Sequence, residues 1–330
     1  MRDGMKGGMK VLGPAAVVVA LVAAPFIATS YVISLATGVL VLGLLTMSVN
    51  LLTGVAGLPT LGQAAYFGVG AYATALVARS WTQVGVVHLL VATAAGAAVA
   101  ALTGLVVVRT RGVVFLMLTL AIGELTYSAV LEWDTVTGGS DGRATPAVSP
   151  VWGMPALRND GLVYLWVLAV FLLLFALVAA VVRSPFGLAL RGIRDNEARM
   201  RADGYPVTRY LLVAYTFAGG LAGAAGALWI SSERFVSPSD IGFHVSAMAL
   251  IAVVLGGLGS MWGAVAGMGL VVLTRDLVGG QFTGDLAGRG VLLLGLVFVA
   301  AVYLMPRGLA GLRLLTRRRQ ALAAPGSEES

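Results

Sequence analysis

The chain has 330 residues, of which 58% are hydrophobic and 11% charged. Apolar runs of about twenty residues recur along it, which excludes a water-soluble globule and predicts a polytopic membrane protein. Cysteine is absent, so disulfides and thiolate metal sites are excluded, and the two histidines, His88 and His244, fall at span ends, which argues against zinc chemistry. The net charge of +7 is therefore a topology signal, to be read by position, and not a nucleic-acid-binding surface.

Residues 1–10 form a tail with Arg2, Lys6 and Lys10, followed by an apolar run from Val11 to Ala28. No clear small-x-small cleavage site marks its end, so an uncleaved first span is expected rather than a signal peptide. A second span is expected over Ile33–Leu52, then a break over Thr53–Pro59 that contains Gly54, Gly57 and Pro59. The third segment, Thr60–Ala78, is rich in glycine and alanine, which lets helices approach closely in lipid. The fourth span is Val86–Val108, and the fifth is Val113–Glu132 with Glu124 near its middle. A polar loop over 133–160 precedes the sixth span, Leu162–Val182. The charged segment 184–208 leads to the seventh, Tyr210–Ile230. The stretch 245–274 is interrupted by Gly256, Gly257, Gly259 and Gly263, and two short segments with a hairpin at Gly256–Ser260 fit the charges better than one straight helix. A last span is expected over Val291–Met305, and a cytoplasmic tail over 307–330.

Charge placement orients these spans. With the N-terminus, Arg109/Arg111, the 184–208 segment and the C-terminus together, one side carries 16 Lys/Arg against 6 Asp/Glu; the other carries 6 Arg against 8 acids, with Glu124 left in the membrane. The positive side is expected to be cytoplasmic, which puts both termini inside. The expected fold is an all-α polytopic membrane protein of about 8–10 transmembrane helices, the count depending on whether 245–274 crosses as a broken pair or returns as a re-entrant element. The transmembrane domain then covers 11–306. A faint internal echo, Gly54–Tyr72 against Val253–Leu270, points to paired interrupted helices and a transport site near the midplane; ordinary small-residue packing would give the same echo.

The segment 184–208 is dense in charge, with Arg183, Arg191, Arg194, Arg199, Arg201 and Arg209 around Asp195, Glu197 and Asp203. Ser184–Pro185 reads as a helix start, and Gly204 with Pro206 as a stop. Arg191/Asp195, Asp195/Arg199 and Glu197/Arg201 are spaced i,i+4. One helix from about Leu188 to Ala202 is expected. It is either a solvated linker with self-paired charges or a docking helix whose Leu190, Ile193 and Met200 meet a partner groove.

Five motifs in order, spread over about 35–310, carry a family resemblance. They are Asn50–Gly54 leading to Thr60–Gly68 and Gly70–Tyr72; Arg109–Gly112 with Phe115 and Thr119–Ala121; Thr137–Gly142; Phe186–Gly187 through Ile193–Glu197; and Gly256–Ser260 with Gly263. Together they resemble the permease subunit of a branched-chain amino acid ABC importer, of the LivM type. The Ile193–Glu197 run favours that member of the permease pair. The sequence departs from the family pattern at Thr60, Val114, Met200, Arg201 and Asp203.

The resemblance implies that 184–208 is the segment that docks on a cytoplasmic ATPase, with Gly187, Arg194, Asp195, Asn196, Glu197 and Gly204 matching its pattern. It implies a second homologous permease subunit, two ATP-binding subunits that hold ATP and Mg, an extracytoplasmic solute-binding protein, and no cofactor on this chain. Consistently, the only lysines are Lys6 and Lys10, each preceded by methionine, so no P-loop is present. A zwitterionic substrate needs donors, acceptors and an apolar wall, which makes Thr60, Gln63, Tyr66, Thr119 and Glu124 the substrate-pathway candidates. A hydrogen bond to neighbouring helices is the structural alternative for Glu124. The same machine acting on urea or short amides is the nearest functional alternative, and a stand-alone secondary transporter a more distant one. The spans hold no constellation for an intramembrane enzyme.

Overall fold

The computed structural model describes residues 28–281 apart from 154, 155 and 158, together with 21, 22, 25 and 295. Apart from those isolated positions, the expected first and last spans and both tails lie outside the described residues.

Helix α1, Ser30–Asn50, runs directly into a π-helical turn, Leu51–Ala56. Gly57 ends it at φ 76°, a conformation that costs glycine little, and the chain has no regular secondary structure from there to Gly62. Then follow α2 (Gln63–Ser80), α3 (Gly85–Val107), α4 (Gly112–Glu132) and the single turn α5 (Asp134–Thr137). Helix α6 is Asp160–Arg183, α7 Pro185–Asp195, α8 Glu197–Ala202 and α9 Val207–Glu233. A hairpin of α10 (Phe243–Gly256) and α11 (Met261–Gln281) closes the described part. Five of these helices are long and apolar enough to cross a membrane: α1 with its π turn, α3, α4, α6 and α9. The span bounds read from hydropathy lie within a few residues of these.

Glycine governs the packing. Helix α9 is clasped by α2 and α3 because its glycines leave no side chain between the backbones: a Cβ on Gly226 would lie 2.1 Å from the Phe67 carbonyl oxygen. The α10–α11 hairpin is as close, since a Cβ on Gly256 would meet the Gly263 carbonyl oxygen at 2.0 Å. Its turn falls on Gly257–Ser260, where the glycine cluster places it. With 14 residues α10 is about 21 Å long, short of a ~30 Å hydrocarbon core.

The bundle has two distinct ends. The α3–α4 corner, with Arg111, meets the 184–208 segment at one of them. At the other, the loop after α4 pairs with the start of the α9–α10 connection through the two-residue strands β1 (Arg143–Ala144) and β2 (Phe235–Val236). Trp81, Trp133 and Trp152 are exposed on the connections at that end, as aromatic residues are at a membrane–water boundary.

The charged segment departs from expectation. It is two helices, not one over 188–202. The first begins at Pro185, where the serine–proline start places it, and the second begins after a break at Asn196. Asn196 is extended (φ −157°, ψ 93°), and its side chain accepts the Arg199 N–H at 3.0 Å. An asparagine offers the backbone this local cap in competition with the helix, and here the cap wins. The break separates the two members of Asp195/Arg199; neither that pair nor Arg191/Asp195 forms, whereas Glu197–Arg201 does at 2.7 Å. The apolar face is also turned inward. Leu190 and Ile193 are buried in the core of this chain, and Met200 packs against that core and lies beside Gly192. These three side chains are therefore not free for a partner groove. The exposed side of the segment comprises Pro185, Leu188, Arg194–Asn196, Ala198, Arg199, Arg201, Ala202 and the Asp203–Pro206 turn.

Candidate functional site

Two polar centres are built around the helix breaks. The first lies where α2 begins inside the bundle. A helix start leaves backbone N–H groups without helical partners, and inside a membrane protein each must be met. Side chains from distant elements meet them here. Thr119 Oγ1 on α4 accepts the Leu61 N–H at 3.2 Å, Thr60 Oγ1 accepts the Gly62 N–H at 3.2 Å, and Ser246 Oγ on α10 accepts the Ala64 N–H at 2.9 Å. Gln63 Oε1 lies 3.4 Å from Ser48 Oγ on α1, and Gln63 Nε2 is buried with no partner among the described residues.

The structure thus brings Thr60, Gln63 and Thr119 together. Tyr66 sits one turn further along α2, in a separate hydroxyl cluster, with its OH 2.7 Å from both Thr103 Oγ1 and Tyr215 OH. All four candidates are 0% exposed. Glu124 is elsewhere. It lies on the exposed stripe of α4 with Met117, Ala121, Leu125 and Ser128, pointing away from this chain's core.

The second centre joins the 184–208 segment to the bundle at two points. Arg111 grips Glu197 with two bonds, Nε to Oε2 at 2.6 Å and Nη2 to Oε1 at 3.1 Å, and Arg201 adds two more to Oε1, from Nε at 3.0 Å and Nη2 at 2.7 Å. The Arg111 guanidinium, helped by Arg201, holds the Glu197 carboxyl below its ordinary value. A carboxyl held low contributes stability above its unfolded value and loses it as pH falls through the folded one. Hydrogen-exchange protection of the α8 amides, after correction for the intrinsic pH effect, is expected to fall in that acidic window in the native chain. In Glu197→Gln it is expected to be low and flat at every pH.

At the other anchor, Arg194 Nη1 donates to the Gly54 carbonyl at 2.6 Å, while Nε and Nη2 both donate to Asp195 Oδ1 at 3.1 Å. Behind Gly54, Asn50 Oδ1 accepts the Gly259 N–H at 2.9 Å and Asn50 Nδ2 donates to the Ser260 carbonyl at 3.2 Å. The two interrupted segments suggested by the internal echo therefore touch at Gly54 and Gly259. They do so at the level of Arg194, toward one end of the bundle, rather than at its middle. Of the remaining residues expected on this segment, Gly187 is buried where a Cβ would lie 2.3 Å from the Val182 carbonyl oxygen, and Gly204 turns the chain at φ 84°. Asp195 and Asn196 are exposed.

Sequence reasoning passed over Asn50, Ser48 and Ser246 as site residues. The available signal was a lone carboxamide or hydroxyl in an otherwise apolar span, which requires a partner in lipid.

Comparison with known proteins adds a family. A model described as branched-chain amino acid transport system / permease component matches residues 31–302. The chain is 29% identical over 321 residues to the high-affinity branched-chain amino acid transport system permease protein LivM of Salmonella typhimurium, covering 89% of this chain and 73% of that one. It is 28% identical, with the same coverage, to the LivM protein of Escherichia coli. A shorter match, 31% over 179 residues, covers 54% of this chain and 49% of the autoinducer 2 import system permease protein LsrC of an Enterobacter species. No solved structure matches the chain.

Proposed function

The chain belongs to the branched-chain amino acid transport system permease family, a multi-pass permease component of an ABC transporter in the cell membrane, and from that premise we propose that it imports leucine, isoleucine and valine. ATP and Mg are held by two separate ATP-binding subunits, which dock on 184–208 from the cytoplasm. A second permease completes the pathway, and a solute-binding protein delivers substrate at the opposite end. This chain binds no cofactor of its own. The observation that carries the docking assignment is the double anchorage of α7–α8: Arg194 and Glu197 tie the segment to two parts of the bundle while Arg199 and the Asp203–Pro206 turn stay exposed. A partner that displaces this surface displaces the bundle. Gly187 and Gly204 shape its backbone; Asp195 and Asn196 present polar groups to the ATPase.

Within the pathway, Thr60, Gln63 and Thr119 form the buried polar gate at the start of α2, and Tyr66 braces it from the next turn. Glu124 has a different part. A carboxylate facing acyl chains costs about 2.5–3.5 kcal/mol, so the exposed stripe of α4 faces the second permease, with Glu124 lining the passage between the two. Glu124→Gln is expected to lower uptake with unchanged amounts of assembled complex. If uptake and substrate profile both stay the same, Glu124 is not on the pathway.

The deciding experiment is uptake of labelled leucine by cells with and without this chain, with unlabelled isoleucine, valine and urea as competitors. Loss of uptake on deletion, with competition by isoleucine and valine, supports the proposal. Unchanged leucine uptake together with lost urea uptake would replace the substrate and keep the transporter class.

A further inference from the structure

We propose that Arg194 and Asn50 form a two-sided clamp on Gly54, so that α7, the break after α1 and the α10–α11 turn move as one body when the ATP-binding subunits act. This rests on the docking of those subunits described above, and it makes Arg194 and Asn50 positioning residues for transport.

The Gly54 carbonyl has been left open by the helix itself. In a tighter turn it would accept the Gly57 N–H, but that group donates to the Leu52 carbonyl. In an α-turn it would accept the Leu58 N–H, but that too goes to Leu52, at 2.8 Å. In a π-turn the donor would be residue 59, which is Pro59 and has no N–H. Every helical donor is spent or missing, and an unmet carbonyl inside a membrane protein is costly. Arg194 Nη1 takes the position at 2.6 Å. A guanidinium bond to a carbonyl is charge-assisted and directional.

The opposite face of Gly54 is equally filled. A Cβ there would lie 2.3 Å from both Asn50 Oδ1 and the Gly259 nitrogen. Asn50 is 2% exposed and spends both ends of its carboxamide on the Gly257–Ser260 turn. At Gly57 the absent side chain admits the Arg194 stem, whose Cγ would be 2.5 Å from a Cβ. Three segments far apart in sequence therefore meet around one glycine, joined through the Arg194 and Asn50 side chains.

Both arms of this body lead to the buried polar gate. From the break, Leu58–Gly62 runs straight to Thr60 and Gln63; from the turn, α10 carries Ser246 to the Ala64 N–H. A displacement of α7 arrives at the start of α2 from two directions. Leu190 and Ile193 hold α7 in the core independently of Arg194, so removing the guanidinium leaves the helix in place and cuts the clamp together with the exposed Arg194–Asp195 pair.

The absence of cysteine and the exposure of Leu188, Leu258 and Trp133 allow a direct test in the complete transporter. Spin labels on Leu188→Cys and Leu258→Cys are expected to keep one separation with and without ATP, while each changes its distance to a label on Trp133→Cys. In the Arg194→Ala background the Leu188–Leu258 separation is expected to become ATP-dependent. Arg194→Ala is further expected to leave ATP hydrolysis by the bound subunits near its normal rate while uptake falls about tenfold, and Arg194→Lys to recover part of it. A Leu188–Leu258 distance that already changes in the unmodified transporter, or full uptake per ATP in Arg194→Ala, would overturn the clamp. A purified complex that carries no ATP-binding subunit would instead overturn the docking on which the clamp depends.

Discussion

Gly223→Ala is expected to prevent the folded chain from accumulating in the membrane. The added methyl would sit 2.3 Å from the Ala92 carbonyl oxygen and 3.2 Å from Gly96 Cα, both backbone atoms of α3. On the α2 side the Gly223 carbonyl already lies 2.3 Å from where a Cβ on Gly70 would be. Helix α9 therefore cannot retreat from α3 without also moving against α2. Overpacking costs about 1–3 kcal/mol in a core that can adjust side chains. Here the neighbours are peptide groups, and lipid supplies no hydrophobic force to hold separated helices together. The expected result is a large fall in monodisperse protein on size-exclusion chromatography and a lowered thermal aggregation temperature. Gly38→Ala provides the control. It lies within α1 with nothing within 4 Å of the added methyl, so it is expected to be neutral or to stabilise by up to about 1 kcal/mol. Equal behaviour of the two variants would remove close packing as the reason for glycine on α9.

Among single-methyl changes that leave the bundle assembled, Gly54→Ala is expected to have the largest effect on transport. The new methyl must displace either the Asn50 carboxamide or the Gly259 backbone, and these are bonded to each other. The Gly259 amide, protected in the native chain by Asn50 Oδ1, is expected to exchange with solvent at close to the rate of an open loop. Uptake is expected to be lost while α2, α3 and α9 remain assembled through their own close glycine contacts. Native-like protection at Gly259 in Gly54→Ala would mean that the turn does not depend on Asn50.

Local chemistry is what the sequence carried well. Hydropathy placed the spans, because a helix that crosses lipid must satisfy its backbone internally over a fixed length. Gly57 with Pro59 marked the first break, and the cluster at Gly256–Gly259 marked the hairpin, because those residues have few other uses within a helix. What escaped was direction. Leu190 and Ile193 give the same periodicity whether they face their own core or another subunit, so an amphipathic pattern could not tell the two apart. The Asn196 break was hidden for a related reason: a helix-compatible charge pattern continues across it, and only the asparagine side chain, bonding to Arg199 N–H, decides for the cap. Glu124 could be assigned to a span but not to a face. The Asn50–Gly259 and Arg194–Gly54 bonds join residues 209 and 140 positions apart, a pairing that local periodicity does not encode.

The position of Asn196 between its neighbours has a mechanical meaning. Arg194, in the last turn of one helix, anchors to the α1 break, while Glu197 begins the next and anchors to the α3–α4 corner. The extended, exposed residue between them is a hinge and not a rigid link. Under the docking proposed above, a load on α7 passes to the α1 break and a load on α8 to the α3–α4 corner, so which part of the bundle answers depends on where along α7–α8 the push lands.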